Sequence, residues 1–475
     1  MVLLLTELLK DWPCTISGGD IRTEVTGITE NSSRMKKGFV FVARKGGRDD
    51  GALHIRQAVG QGAAAIVIDR TDLTELSLDV PVVIVPDCKL FIAHASARLA
   101  GYPARRMKVI AVTGTNGKTT VTHFIGQLLK CLGNRPAVIG TTGVFMDGVK
   151  QEIDSPKMTT LPAEYLHPLL KKCEKAGITH IVLEASSLGL VTKRLAYCEI
   201  DIGILLNIGT DHYEEHGGKL AYIQAKKQLS QMVATMIVNQ EDEQCLQMMQ
   251  DVTIPVVSFG MTPLSDICVP DLYKYFEIRG HYNYMNALAA ISALHVLGYR
   301  LEDIIQHCQQ LQLPEGRLQQ LERDGVKVYI DYAHTPDALQ AVLCTLSTSC
   351  YGKLITVFGC GGERDKGKRA KMGELAVLYS ANVIVTSDNP RNEDPLAIIT
   401  DILEGFGGDC SAVEVMLDRK HAIRKAIFSA APGDTVLIAG KGHEKTQHTA
   451  DGLLPFSDFE EAKLALFEKT FLDFN

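Results

Sequence analysis

The chain has no basic excess: 49 lysines and arginines stand against 56 aspartates and glutamates, a formal net charge of -7. That balance argues against a nucleic-acid scaffold but leaves room for a local basic pocket that binds anionic small molecules. There is no CxxC pair and no His/Cys ligand cluster among the 12 scattered cysteines. Reduced thiols in a cytoplasmic protein are the economical reading. Cys360, in a glycine loop, is a candidate for exposure, but no neighbour could serve as its base. A membrane-length apolar run is also missing. The N-terminal VLLLTELLKDW is too short and too charged to span, lacks a basic start and a cleavage site, and reads as an amphipathic first helix. Internal repeats, heptads and low-complexity linkers are absent as well.

What is present fits a globular protein, with 46% hydrophobic and 22% charged residues over 475 positions. A prior of roughly 150 residues per domain gives about three domains. Residues 1–105 carry the short strand candidates VTGI, GFVFVA, AAAIVID and VPVVIVP, which indicate a small α/β domain. Residues 106–309 alternate apolar strands with helices: KVIAVTG, RPAVIGTTG, THIVLEASS and IGILLNIG between HPLLKKCEKAG, YIQAKKQLSQM and NALAAISALHVLG. Residues 310–475 repeat that architecture through VKVYIDYAH, LITVFGCGG, NVIVTSDNP and DTVLIAGKG. The fold class is therefore α/β, with mostly parallel sheets and ligands expected at the carboxyl ends of their strands.

The segment AVTGTNGKTT supplies a phosphate-binding turn. Gly114, Thr115, Asn116 and Gly117 let successive N–H groups face an anion, Lys118 neutralises phosphate charge, Thr119 can hold magnesium, and Thr120 opens a helix. Its spacing, GxxGKT, is shorter than the usual Walker pattern. Glu184 ends a strand and can reach the same ion; Asp211 and His212 follow another strand, where Asn207 offers an amide. Lys226, in YIQAKKQL, reads by composition as a solvent-facing helix lysine, with Lys227 beside it. Ser186 and Ser187 lack the GxSxG elbow of a nucleophile, so hydrogen bonding to a polar substrate is the better role, as for Thr159 and Thr160.

Later, Arg317 precedes a strand, and IDYAHTPDAL places Asp331, Tyr332 and His334 at a strand exit. GCGGERDKGKR concentrates Arg364, Asp365, Lys366, Lys368 and Arg369 among glycines, an anion site. Asp388, Asn389 and Arg391, with Glu444 of AGKGHE, complete a set able to recognise a zwitterion. Arg391 can grip a carboxylate bidentately, and Asp388 or Glu444 can accept from an ammonium.

In this order GTNGKTT, EASS, Asp211-His212, YIQAKKQL, HYNYMNALAA, PEGR, DYAHTPDAL, GERDKGKR, DNPR and GKGHE resemble the Mur ligase family over nearly the whole chain. The resemblance implies three domains: one for a UDP-sugar acceptor (1–105), one for ATP and Mg2+ (106–309) and one for an amino acid (310–475). It implies ATP-dependent amide ligation in peptidoglycan precursor synthesis, with meso-diaminopimelate joined to UDP-N-acetylmuramoyl-L-alanyl-D-glutamate through an acyl phosphate. By family match, Lys118, Glu184, His212, Lys226, Arg317 and His334 are catalytic. Thr119, Glu184, His212 and Lys226 in carbamylated form hold the metal. Asn283 and Asn286, with Arg317 and Asp331, serve ATP. Ser33, Arg34, Thr159, Thr160, Ser186 and Arg194 meet the acceptor, and Arg364, Asp388, Asn389, Arg391, Gly440 and Glu444 the amino acid. The GGRDDG segment at 46–51 joins the acceptor side. Small-molecule partners, no membrane insertion, a monomer and a cytoplasmic location complete the expectation.

The chain departs from the family pattern at Ser32, where the DSR motif has aspartate, and at Leu188, where a histidine follows EvSS. FNxxN is YNYMN here, and the stretch between Gly260 and Arg279 is shortened, though it should still hold strands that pack the central domain. Two alternatives stand beside the main reading: a paralogue joining an amino acid to a different carboxylate, and a non-ligase ATP-binding regulatory protein.

Overall fold

The computed structural model describes residues 2–46, 49–70, 78–211, 213–407 and 412–472. Three open sheets carry the architecture. In the first, Thr15–Ser17, Val82–Ile84, Ala65–Ile68, Phe39–Val42 and Gly27–Thr29 lie side by side, parallel except at the Thr15–Ser17 edge. The central sheet has eight strands, with Lys108–Thr113 between His180–Glu184 and Ile200–Leu205, all parallel, and an antiparallel arm of Gly143–Met146 and Val149–Gln151 at one end. The third has six strands, with Thr435–Ala439 inserted between Val326–Asp331 and Leu354–Phe358.

Side-chain alternation puts a separate core on each face of every sheet. Val109 and Ala111 enter one core of the central sheet, while Ile110 and Val112 enter the other. In the third sheet Leu437 and Ala439 face one way, Val436 and Ile438 the other. Covered on both sides, these strands read as unbroken apolar runs, as parallel strands do. Strand order reverses about Lys108–Thr113, whose successive partners lie on opposite sides. The crevice beyond its carboxyl end is the place where such sheets bind ligands.

Two expectations are corrected. The first segment is not one amphipathic helix: Leu3–Leu4 pairs with Glu24–Val25, and only Leu5–Leu8 is helical. Asp11, left-handed at φ 65°, and Pro13 prevent continuation. The stretch after Gly260 holds no strand; it has an isolated bridge between Phe259 and Ile267 and one 3-10 turn, Leu272–Lys274. Pro263 and Pro270 interrupt any ladder there, and the segment seals the core instead through buried Leu272 and Phe276, the latter edge-on to Phe124 at 5.8 Å. No described helix is long and apolar enough to cross a membrane.

Candidate active site

The phosphate turn leaves Lys108–Thr113 and runs into the helix Lys118–Cys131, whose first turn has no side-chain cap. Its free N–H groups are what an anion needs. Gly117 has φ 89°, and a Cβ there would lie 2.5 Å from Asn286 Oδ1. Asn207 clamps the turn, accepting from Asn116 N at 2.8 Å and donating to Asn116 O at 3.1 Å. Thr115 Oγ1 meets Tyr222 OH at 2.9 Å.

Lys118 Nζ donates to the carbonyls of Gly114 and Thr115 at 2.8 and 2.9 Å. Burial pushes its pKa down. Composition favoured a surface position for Lys226, yet it is 2% exposed and its Nζ donates to the same Gly114 carbonyl at 2.8 Å. Burial first, and the Lys118 charge second, hold its pKa well below the usual lysine range. A buried amine that favours its neutral form is a nucleophile towards carbon dioxide, so Lys226 fits the chemistry of carbamylation.

Glu184 is buried at the end of its strand and accepts from Thr119 Oγ1 at 3.1 Å, Thr141 Oγ1 at 2.9 Å and Thr141 N at 2.9 Å. A buried carboxylate beside a threonine hydroxyl suits a hard cation. Thr119 and Glu184 are the described pair whose chemistry suits magnesium, and Lys226 would add an anionic ligand only as a carbamate. His212 lies outside the described residues, as do positions 47 and 48 of the 46–51 loop. Among the described residues no three His, Cys, Asp or Glu side chains cluster as a metal site.

Arg317 crosses from the third sheet's domain to the phosphate turn. Its Nη2 is 3.4 Å from Thr119 Oγ1, and its guanidinium stacks over Tyr332 at 4.6 Å. Asp331 is committed to backbone, accepting from Leu318 N and Ala333 N at 2.7 Å each, so it shapes the loop that presents Arg317. His334 Nδ1 donates to Tyr332 O at 2.8 Å, leaving Nε2 3.9 Å from Asp211 Oδ2. Desolvation first, and the Lys368 charge second, push the pKa of this half-buried ring down. Between the two domains lies a cavity of about 440 Å³. It brings together Asn116, Gly117, Thr120, Asn283, Asn286, Arg317 and Asp331. His281, Tyr282, Glu241 and Asp337 also line it and were not singled out for this role from the sequence. Asp337 was the legible one, since DYAHTPDAL puts it one turn after His334.

Among the residues expected to meet an acceptor, Thr160 Oγ1 donates to Glu184 O at 2.7 Å and lies 3.1 Å from Ser186 Oγ. Arg194 Nη1 donates to Thr160 O at 2.8 Å, and Thr159 Oγ1 accepts from Thr141 at 3.1 Å. Ser186 caps the helix Ser187–Val191. Arg34 reaches over from the first domain and stacks on Tyr165 at 4.2 Å, while Ser33 N bonds Asn31. Next to it, Glu164 accepts from Glu30 N at 3.0 Å, and burial raises its pKa to about 7.

The loops expected to meet an amino acid are more occupied than the sequence implied. Asn389 and Glu444 are tied at 2.8 Å, and the buried Lys441 ammonium donates to both, at 2.9 and 2.8 Å. Glu444 thus already holds one internal ammonium. Gly440, at φ 115°, leaves room for Asp388, whose Oδ2 would be 2.5 Å from a Cβ there. Arg391 donates to the carbonyls of Gly362 and Asn389, and Arg364 pairs with Glu215 of the central domain. Cys360 is buried, not exposed, because its Sγ packs on Met372 under the loop.

Three consecutive family models match this chain: the Mur ligase catalytic domain over 24–108, the Mur ligase middle domain over 112–277, and the Mur ligase glutamate ligase domain over 316–442. The chain belongs to the Mur ligase family. It is 34% identical to a UDP-N-acetylmuramoyl-L-alanyl-D-glutamate–2,6-diaminopimelate ligase of Clostridium acetobutylicum, over 96% of this chain and 98% of that protein. It is 36% identical to the ligase of the same name from Chlamydia felis, with the same two coverages, 96% and 98%. A solved structure of a ligase of that name superposes with a TM-score of 0.67 at 30% identity, covering 99% of this chain and all of the other.

Proposed function

We propose that this Mur ligase joins meso-diaminopimelate to UDP-N-acetylmuramoyl-L-alanyl-D-glutamate, consuming ATP. The observation that carries the reading is the meeting, across one seam, of a phosphate turn, an arginine from the opposite domain and a separate loop pair bearing Arg364 and Arg391. A phosphotransferase has no need of the last.

In this reading the acceptor carboxylate oxygen attacks the γ-phosphorus and ADP leaves, giving an acyl phosphate. The incoming amine nitrogen attacks the acyl carbon, and the tetrahedral intermediate expels phosphate as the amine loses its proton. Lys118 and the first turn of Lys118–Cys131 hold the phosphates, and Arg317 adds positive charge where the transferred group sits. Magnesium, when bound, neutralises charge between phosphate and acceptor carboxylate; Thr119, Glu184, His212 and carbamylated Lys226 would hold it. Asn283, Asn286 and Asp337 face the nucleotide. Thr159, Thr160, Ser186 and Arg194, with Ser33 and Arg34, would orient the acceptor, keeping its carboxylate near Glu184 and Thr119. Closure of the seam excludes water from the acyl phosphate. Arg391 and Arg364 would take the distal carboxylate of the diamino acid, the latter by exchanging Glu215 for it, with Asp388, Asn389, Gly440 and Glu444 around the ammonium.

A second reading, the same chemistry on a different carboxylate acceptor, is favoured by Ser32 and by the half-exposed Leu188 at the acceptor mouth. The test is product mass and phosphate release with ATP, magnesium and UDP-N-acetylmuramoyl-L-alanyl-D-glutamate, comparing meso-diaminopimelate with L-lysine. A tripeptide product with diaminopimelate alone supports the first reading. Phosphate release that requires another acceptor supports the second.

A further inference from the structure

Lys368 and Arg369 open the helix Lys368–Tyr379, and both are buried, Arg369 completely. A cation at the positive end of a helix is disfavoured by the dipole, and burial adds a desolvation penalty. Arg369 is sustained there by its partners. Nη1 and Nη2 each donate to Glu393 at 2.8 Å, Nη1 also to Asp401 at 2.8 Å, and Nη2 to Gly361 O at 3.2 Å. Glu393 then reaches the facing loop, accepting from Glu363 N at 3.0 Å.

One guanidinium therefore joins the loop that carries Arg364 to the loop that carries Arg391. The loops also interlock directly: Gly362 N donates to Asn389 O at 2.9 Å, and Asn392 Nδ2 to Glu363 Oε1 at 2.8 Å. Each loop holds a non-glycine residue in the left-handed region, Glu363 at φ 52° and Arg391 at φ 55°. Such residues persist only where their surroundings over-determine them. If Arg391 relaxed to ordinary φ, its Cα–Cβ bond would swing and carry the guanidinium away from Gly362.

We propose that Arg369 and Glu393, which touch no reactant, are positioning residues that set discrimination between a diamino acid with a distal carboxylate and one without. The proposal rests on the reading of Arg364 and Arg391 as the carboxylate clamp. Arg369→Lys keeps the charge but loses the fork that fits a carboxylate. Glu393→Gln keeps the shape but loses the charge, and serves if the first variant fails to fold. With the full-length enzyme, the ratio of kcat/KM for meso-diaminopimelate over L-lysine is measured, with KM for ATP and acceptor and a thermal unfolding curve.

The ratio should fall about 10–100-fold, the scale of an ångström-sized misplacement, through a raised KM for diaminopimelate. KM for ATP and for the acceptor should stay within about twofold over the same comparison. An unchanged ratio in folded variants, or a joint rise of all three KM values, overturns the proposal while leaving the ligase reading intact. A wild-type enzyme that makes no product with diaminopimelate overturns the ligase reading and this proposal with it.

Discussion

Replacing Gly117 with alanine separates two costs that usually come together. A left-handed alanine is strained by about 1–2 kcal/mol whatever surrounds it. At Gly117 the new Cβ would also sit 2.5 Å from Asn286 Oδ1, against roughly 3.4 Å for ordinary contact, so that side chain must retreat by about 0.9 Å. Overpacking of this kind adds about 1–3 kcal/mol. Gly133 supplies the control: it is left-handed at φ 79°, and a Cβ there meets nothing within 4 Å. Gly133→Ala should therefore lose about 1–2 kcal/mol and keep its KM for ATP. Gly117→Ala should lose about 2–5 kcal/mol in total, and its KM for ATP should rise about tenfold or more, because Asn286 lines the cavity proposed for nucleotide. Urea unfolding and initial-rate kinetics on the two variants decide the matter. Equal losses of stability with equal KM values would show that the contact with Asn286 carries no weight.

Further predictions follow from the same contacts. Lys118→Met should lower kcat by about 10²–10³-fold with a smaller effect on KM for the diamino acid, read by coupled ADP release, since it removes charge from the phosphate turn. Lys226→Met should abolish turnover without unfolding the protein, and wild-type activity should decline in buffers stripped of carbon dioxide and return with bicarbonate; activity indifferent to bicarbonate would count against carbamylation. Burial raises the Glu164 pKa from 4.5 to about 7, so the folded state holds its proton more tightly than the unfolded chain. That stabilisation is complete below about pH 4.5 and is lost as pH rises through about 7. Glu164→Gln should flatten that slope in Tm measured from pH 5 to 8, and an unaltered slope would assign it to other groups.

The parallel strands were legible because burial on both faces leaves uninterrupted runs such as KVIAVTG and DTVLIAGKG. The glycine-rich turn from strand Lys108–Thr113 into helix Lys118–Cys131 was legible because glycine, lysine and threonine at that spacing answer a local need. Lys226 was not legible by composition, for nothing in YIQAKKQL separates a lysine held against Gly114 O from one in water, and the family match alone singled it out. Neither was the pairing of Arg364 with Glu215, which depends on two domains meeting. Lys441, which fills the space between Asn389 and Glu444, was overlooked because a lysine between glycines reads as a solvated turn. Asp331 shows what a strand-end position alone does not tell: the residue lines the cavity, and backbone N–H groups already engage each of its oxygens.

The cavity proposed for nucleotide has walls from two domains, Asn283 and Asn286 on one side and Asp331 and Ala341 on the other. Neither domain alone would offer a fragment screen the pocket that the whole chain presents. Nucleotide then acts as a rivet: at about a hundredfold excess over Kd it adds about 2.7 kcal/mol to the joined form only. Two melting events in the empty protein should draw together into one as ATP is added, so that calorimetry reads the substrate as part of the architecture.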